Sequence, residues 1–174
     1  MTPDEYQIEA FKTAQYPQDE HKFEYLMLAL VGECGELCNV RKKELRNQEN
    51  YRERIVDESG DILWYLTALA TECGRFLSEY VSWKPLYTIT PTPSLFQSLI
   101  LVTRKATAAA DILKTLGESA FQAMTVNLCG RIYFWLALVW SHYDITLDEV
   151  MAYNLSKLSG RDKTDSIKVH ERDS

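Results

Sequence analysis

Apolar residues recur along most of this chain at the three- and four-residue spacing of amphipathic helices, not at the two-residue spacing of strands. The pattern predicts an all-α protein, a helical bundle of about six helices with a four-helix core. The predicted helices cover residues 2–14, 23–46, 51–74, 94–116, 118–143 and 147–158. The helix over 51–74 is apolar nearly all round after its first turns, so we expect it to be the central, buried element.

Two stretches lack this helical period. Residues 80–93 are rich in Pro, Thr and aromatic side chains, which predicts a loop that crosses the bundle surface. Residues 162–174 are polar and predict a disordered tail. The length and the small number of Gly and Pro residues predict one domain over residues 1–161.

Two acid pairs interrupt the apolar faces of the second and third predicted helices. Glu33 and Glu36 are three residues apart, as are Glu58 and Asp61, so each pair lies on one face of its helix. The same arcs carry the core-facing apolar residues, so all four carboxylates are predicted to point inward. Buried carboxylates take up protons or need a cation between them, and oxygen ligands suit Mg²⁺. The pattern therefore predicts a metal site at these four acids.

Other interpretations of the acids remain open at this point. Acids at this spacing are most often solvent-exposed residues of a helix face. They would also be explained by structural ion pairs with Arg41, Arg52 or Arg54, although only Arg54 lies near the acid arc and one arginine cannot balance four carboxylates. A di-iron centre is disfavoured because no His follows any of the acids at the Glu-x-x-His spacing.

The last predicted helix carries a polar stripe formed by Asn154, Lys157 and Arg161. Such a stripe can bind the phosphate oxygens of a substrate by hydrogen bonding and charge. The alternative is a solvated face near a helix C-terminus, where cations are favoured in any case.

Charge and composition narrow the classes of partner. The formal net charge is -6 and no basic stripe offsets it, so a nucleic-acid polymer is an unfavourable partner, whereas a small anion bound through a metal is not. The four Cys and three His show no zinc or disulfide spacing. No leader segment and no apolar run of membrane-spanning length is recognised, which predicts a cytoplasmic protein without a membrane partner.

The two halves of the chain look like a faded internal repeat. Residues 30–33 align with 101–104, and residues 60–66 with 130–136, at offsets of 71 and 70 positions. In the second copy Arg104 stands for Glu33 and Arg131 for Asp61, so residues 75–143 are either an insertion or a degenerate second repeat. We expect both arginines to be structural, with Asp111 on the same arc neutralising part of their charge. Chance similarity of two apolar helices is the alternative.

These motifs carry a family resemblance. The segments 28–37 (LALVGECGEL) and 58–66 (ESGDILWYL), with 4–7, 147–150 and 154–158, resemble the ExxE and ExxD signature of the MazG-like nucleoside triphosphate pyrophosphohydrolases. Those enzymes belong to the all-α nucleoside triphosphate pyrophosphatase superfamily. A duplicated unit with a degenerate second copy is similar in plan to the all-α dUTP pyrophosphatases of that superfamily.

The resemblance implies a hydrolase that converts a (deoxy)nucleoside triphosphate to its monophosphate and pyrophosphate and so cleanses the nucleotide pool. It implies that Glu33, Glu36, Glu58 and Asp61 hold Mg²⁺, with Mn²⁺ as an alternative, and that Asn154 and Lys157 contact the phosphates. Many members carry an acid where this chain has Gly32, which leaves the general base unassigned. A homodimer is expected because the apolar helix over 118–143 leaves surface to cover. The alternative function is a non-catalytic helical module that binds nucleotides or a partner.

Overall fold

The computed structural model describes residues 1–86 and 92–161 of the chain. Within these residues the protein is all-α and contains no strand, as the hydrophobic pattern predicts. Its helices are α1 (Pro3–Phe11), α2 (Lys22–Asn47), α3 (Arg52–Glu72), α4 (Leu77–Val81), α5 (Leu95–Leu116), α6 (Glu118–Ser141) and α7 (Leu147–Arg161).

The predicted four-helix core is formed by α2, α3, α5 and α6. Helix α2 packs against α3 on one side and α5 on the other, and α6 closes the bundle by packing on both α5 and α3. The apolar stripe of each helix faces this interior, where each large aliphatic side chain stabilises the fold by about 1.5–3 kcal/mol. Side chains with no exposed surface in this core include Leu30, Leu37, Ile62, Leu66, Val102 and Ile132.

Helix α3 is the central element, which confirms the prediction from its apolar sequence. It packs against α1, α2, α4, α6 and α7. Its one fully buried serine, Ser59, is paired, because the indole nitrogen of Trp140 donates a hydrogen bond of 2.8 Å to the Ser59 hydroxyl. The acids of α3 therefore lie on an element that neighbours hold on nearly every side.

A short helix, α4 (Leu77–Val81), ends inside the first two residues of the loop predicted over 80–93, so the prediction was wrong for residues 80 and 81. Its anchors Leu77 and Tyr80 are fully buried, and the Tyr80 hydroxyl lies 3.1 Å from the Thr125 hydroxyl of α6. Five residues are too few to give a period in the sequence, so packing on α6 and not local pattern makes this helix. Residues 87–91 of the predicted loop and the predicted tail 162–174 lie outside the described residues.

Helix α6 bears on the expectation that the chain has no apolar run of membrane-spanning length. By length and composition it is apolar enough to cross a membrane, although no apolar run of that length was recognised. Arg131 is a charged residue within this otherwise apolar helix, whose mean hydropathy stays high in spite of it. Half of the most apolar stretch of α6 is buried inside the protein, where α6 packs on α3, α4 and α5. This burial is expected of a core helix.

Polar contacts cap the first helix and dock the last helix on the core. The Thr2 hydroxyl and the Glu5 carboxylate cap the first turn of α1 reciprocally. The Arg52 guanidinium, at the start of α3, donates two hydrogen bonds to the Glu149 carboxylate of α7, at 2.6 and 2.7 Å. It also donates to the backbone carbonyls of Tyr143 and Asp144, each at 2.9 Å. One side chain thus ties α3 to the turn between α6 and α7.

The Arg52–Glu149 pair gives a testable stability prediction. Hydrogen bonds from Arg52 lower the pKa of Glu149 below its usual 4.5, so the carboxylate stabilises the fold above that pH and the contribution is lost as pH falls through the lowered value. We expect Glu149→Gln to lower the free energy of unfolding at pH 7 by about 0.5–1 kcal/mol, because the pair is bidentate but partly exposed.

Chemical denaturation at pH 7 and pH 3 measures the effect, and the difference between Glu149→Gln and wild type should shrink at pH 3. Asp148→Asn is the matched control, because Asp148 lies in the same first turn of α7 and is exposed. Equal losses of stability at pH 7 in the two variants would contradict the assignment.

Candidate metal centre

Three of the four predicted acids converge between α2 and α3. Glu33 of α2 and Glu58 and Asp61 of α3 each offer a carboxylate oxygen, and the three oxygens lie within 4.8 Å of one another. All three residues are only partly buried, so the cluster is open to solvent on one side. We call these three residues the acidic cluster. The side-by-side packing of α2 and α3 brings the two motifs together.

Glu36 does not point inward, and the prediction that all four carboxylates face the core was wrong for this residue. It is exposed, and its carboxylate accepts a hydrogen bond of 3.3 Å from the side-chain amide of Asn39. Three residues advance an α-helix by about 300°, which leaves Glu36 about 60° around the helix from Glu33 and outside the inner arc. A part for Glu36 in metal binding stays a prediction.

The structure adds Asp57, which the motif analysis missed. The Lys157 ammonium group of α7 donates hydrogen bonds to Asp57 at 2.5 Å and to Asp61 at 2.6 Å. Asp57 and Asp61 lie one turn apart on α3, so one lysine from the neighbouring helix reaches both. The i,i+4 spacing of the two aspartates was the available signal, and only the packing of α7 on α3 supplies the lysine.

None of the three arginines considered as counter-charges neutralises the acidic cluster. Arg41 pairs with Glu44 and Arg52 with Glu149, away from the acids of the two motifs. Arg54 is exposed, and its guanidinium carbon lies 5.5 Å from the centroid of the Tyr51 ring. Among the described side chains, the cation paired with the acids is Lys157.

Asn154 supports the cluster from inside the protein. Its side chain has no exposed surface, accepts a 2.8 Å hydrogen bond from the Tyr6 hydroxyl and approaches the Asp61 carboxylate with its amide nitrogen at 3.5 Å. The predicted contact with substrate phosphates does not fit this buried position. Asn154 lies on the inner side of α7 against Gly60, and there it orients Asp61.

Lys157 and Arg161 stand differently from Asn154. Lys157 is half-buried, and its ammonium group pairs with Asp57 and Asp61. Its predicted contact with substrate phosphates stays a prediction, and it requires the ammonium group to leave one of these aspartates or to bind a phosphate at the same time. The side chain of Arg161 lies outside the described part of the structure, although its backbone ends α7. The predicted stripe of three residues is therefore seen at two positions only.

The electrostatics of the site favour a further cation. Four carboxylates, those of the acidic cluster and Asp57, share one ammonium group. Burial, and next the charges of Asp61 and Glu58, raise the pKa of Glu33 to about 7. Burial and the neighbouring aspartates also raise the pKa of Glu58. Burial opposes the charge on Lys157, but its hydrogen bonds to Asp57 and Asp61 outweigh burial and raise its pKa.

The donor set fits a hard divalent ion. Carboxylate oxygens from two helices lie close enough to bind one ion together, and their mutual repulsion would be relieved by its charge. Packed helices carry the three acids, and the Asp61 carboxylate is also held by Lys157 and Asn154, so this ligand would need little ordering on binding.

Two aromatic side chains, Trp64 and Tyr65, follow Asp61 on α3. Tyr65 follows Asp61 by one helical turn, and burial together with the charges of Tyr25, Glu33 and Asp61 raises its pKa to about 12, so its hydroxyl stays protonated as a donor. Trp64 packs edge-on against Tyr65 with ring centroids 4.9 Å apart. The Trp64 indole nitrogen donates to the Ala10 carbonyl at 3.2 Å, which assigns Trp64 to the packing of α1.

Fold and site together define an all-α helical bundle with a half-buried acidic cluster between adjacent helices. The chain is 39% identical over 89 residues to the "Gene 37 protein" of Mycobacterium phage L5, an alignment that covers 45% of this chain and 77% of that protein. The chain belongs to the family of that phage protein. A scan against protein-family models gave no match. No solved structure matches.

Two glycines provide a paired test of the support around Asp61. A Cβ at Gly60 would lie 2.9 Å from Nδ2 and 3.0 Å from Cβ of the buried Asn154, whereas a Cβ at Gly35 of α2 meets nothing within 4 Å. We expect Gly60→Ala to lower the free energy of unfolding by about 1–3 kcal/mol, because the close-packed interior must shift. Gly35→Ala should raise it by about 0.5–1 kcal/mol through helix propensity.

Thermal and urea unfolding of the two variants measure the pair. A Gly60→Ala protein as stable as Gly35→Ala would show that Asn154 is not seated against α3 as described. The comparison needs no metal and no substrate, so it tests the geometry of the site independently of its function.

Proposed function

We propose that this protein is a Mg²⁺-dependent nucleoside triphosphate pyrophosphohydrolase, which hydrolyses a (deoxy)nucleoside triphosphate to the monophosphate and pyrophosphate. The observation that carries the proposal is the acidic cluster, in which Glu33, Glu58 and Asp61 come together with too little positive charge to balance them. The family resemblance of the two acid motifs supports it, because the residues that converge belong to those motifs.

The chain's own residues divide the work between binding and positioning. Glu33, Glu58 and Asp61 would hold the ion, which when bound supplies positive charge against the phosphates and activates water for hydrolysis. Asn154 and Lys157 hold the Asp61 carboxylate in place from α7. Lys157, the cation nearest these acids in the described part of the chain, is the group placed to offset charge that develops on the phosphates.

The general base has a candidate within the cluster. Gly32 supplies no carboxylate, but Glu33 has a pKa of about 7 because it is buried beside two other acids. A carboxylate with a pKa near the working pH is suited to accept a proton from water. We therefore assign Glu33 either as ligand or as base, and the metal-binding experiment below separates the two parts.

The proposal includes a cytoplasmic setting, a small-molecule nucleotide as substrate and a homodimer. Large apolar side chains on α2 and α5 are exposed, among them Leu28 (66%) and Phe96 (72%), which is the kind of surface that a second copy would cover. The excess of acidic over basic residues makes the nucleotide, and not a nucleic-acid polymer, the partner that fits.

A non-catalytic module is the second candidate, and one observation favours it. Lys157 already pairs with Asp57 and Asp61, so part of the acidic charge is balanced without a metal, as in a structural ion-pair network. The two candidates differ in what happens when an acid is replaced: hydrolysis is lost in the first and never present in the second.

The activity prediction uses Asp61, which contacts both supporting residues of α7. Asp61→Asn should reduce hydrolysis at least about a hundredfold while the protein stays folded, because it removes a metal-ligand charge. A panel of common NTPs and dNTPs with Mg²⁺, with products separated by chromatography, gives the measurement. Glu24→Gln is the control, since Glu24 is an exposed acid on α2.

No nucleotide hydrolysed by the wild type would sink the enzymatic proposal and leave the non-catalytic module. Equal activity in wild type and Asp61→Asn would place the chemistry elsewhere. If Glu36→Gln matches wild type while Asp61→Asn is inactive, the exposed Glu36 has no part in binding the ion.

Binding of Mg²⁺ at the acidic cluster can be tested through its effect on thermal stability. Mg²⁺ should raise the melting temperature of the wild type, because an ion bound only by the folded state stabilises it by mass action. The triple variant Glu33→Gln, Glu58→Gln, Asp61→Asn should show no such rise. Glu33→Gln alone should keep most of the rise if Glu33 is the base and lose it if Glu33 is a ligand. Equal shifts in wild type and triple variant would place the ion outside the acidic cluster.

A further inference from the structure

The second half of the chain carries positive charge where the first half carries the acids. Helices α5 and α6 form an antiparallel hairpin about Gly117, and Lys105 and Arg131 lie at nearly equal distances along the chain from that glycine. The two helices pack closely, so these side chains come to the same level of the hairpin. Arg104 is exposed beside them, and Lys105 and Arg131 are half-buried.

Arg131 is held over an aromatic ring. Its guanidinium carbon lies 5.9 Å from the centroid of the Trp83 ring, and Trp83 packs edge-on against Phe134 with centroids 6.0 Å apart. Gly130 makes this arrangement possible, because a Cβ there would lie 2.5 Å from Cβ of Trp83. The tryptophan is therefore seated on α6 next to Arg131, and the guanidinium lies within cation–π range of its ring.

The expected counter-charge is missing from the described residues. Asp111, which was expected to neutralise part of this charge, is exposed and forms no ion pair with described side chains, so that expectation was wrong. Arg104, Lys105 and Arg131 also form no ion pair with an acid in residues 1–86 and 92–160. Burial, and then the charges of Arg131 and Arg104, lower the pKa of Lys105. Three cations on the packed α5–α6 hairpin, without an acid paired to them in the described residues, attract an anion.

We propose that Arg104, Lys105 and Arg131 form a binding site for a phosphoryl anion, the group shared by inorganic pyrophosphate and nucleotides. Two guanidinium groups and one ammonium group supply the donors that phosphate oxygens prefer. Trp83, whose ring lies beside Arg131, is the aromatic side chain placed to meet a base if the ligand is a nucleotide. The site lies on α5 and α6 and does not depend on the proposed hydrolysis at the acidic cluster.

The experiment measures pyrophosphate binding by titration calorimetry in buffer with EDTA, so that no divalent ion takes part. We expect the wild type to bind, and Arg104→Gln and Arg131→Gln each to weaken binding at least about tenfold, which is 1.4 kcal/mol. Lys114→Gln, an exposed lysine on the same helix α5, is the control and should bind as the wild type does.

A thermal melt separates binding from folding. Without anion, Lys105→Gln should melt at the same temperature as the wild type or higher, because it relieves repulsion; pyrophosphate should raise the melting temperature of the wild type and not of Lys105→Gln. Binding of ADP distinguishes the two ligand classes. If the wild type binds ADP more tightly than pyrophosphate and Trp83→Leu abolishes that difference, the ligand is a nucleotide. If the wild type binds both equally well, the site recognises the phosphoryl group alone. No pyrophosphate binding by the wild type, or undiminished binding in Arg104→Gln and Arg131→Gln, would overturn the proposal.

Discussion

The crowding of four carboxylates around one ammonium group is the constraint on which the rest of the site depends. Lys157 is held by Asp57 and Asp61 at hydrogen-bond distance, while Glu33 and Glu58 have no such partner among the described side chains, and burial and neighbouring acids raise their pKa values. Bringing like charges together costs free energy, and apolar burial elsewhere in the bundle must offset that cost. A divalent ion is the ligand that would relieve this repulsion most directly.

The outer helices α1 and α7 hold this arrangement in place. A line of contacts runs from the Tyr6 hydroxyl through the buried Asn154 amide to the Asp61 carboxylate. The line exists because Gly60 leaves room for Asn154 against α3. Helices near the two ends of the described chain therefore position one carboxylate in the middle of the bundle, and changes in their packing would reach the site without touching it.

Helical periodicity was sufficient to predict the long elements, because α2, α3, α5 and α6 each present a sustained apolar face. It could not predict α4, whose five residues are made helical by contacts with α6. The three-residue spacing of the acids was sufficient to predict that Glu33, Glu58 and Asp61 come together. It was not sufficient for Glu36, because about one-sixth of a helical turn separates this exposed side chain from the half-buried Glu33.

The pairing of acids with Lys157 and the burial of Asn154 depend on how α7 packs on α3, which local pattern does not encode. The same limit applies to the second half of the chain. The alignment of the two halves identified Arg104 and Arg131 as replacements for acids, but their association with Lys105 and Trp83 arises from the α5–α6 hairpin. That the two halves are copies of one unit stays a prediction.

The central claim is that the acidic cluster binds a divalent ion, and crystals of the protein grown with Mn²⁺ test it most directly. Anomalous diffraction locates manganese without reference to any assumed site. The account predicts one strong anomalous peak per chain at the acidic cluster, in contact with carboxylate oxygens of Glu58 and Asp61. Peaks that lie only elsewhere on the protein, with Lys157 still paired to Asp61 as it is here, would contradict it.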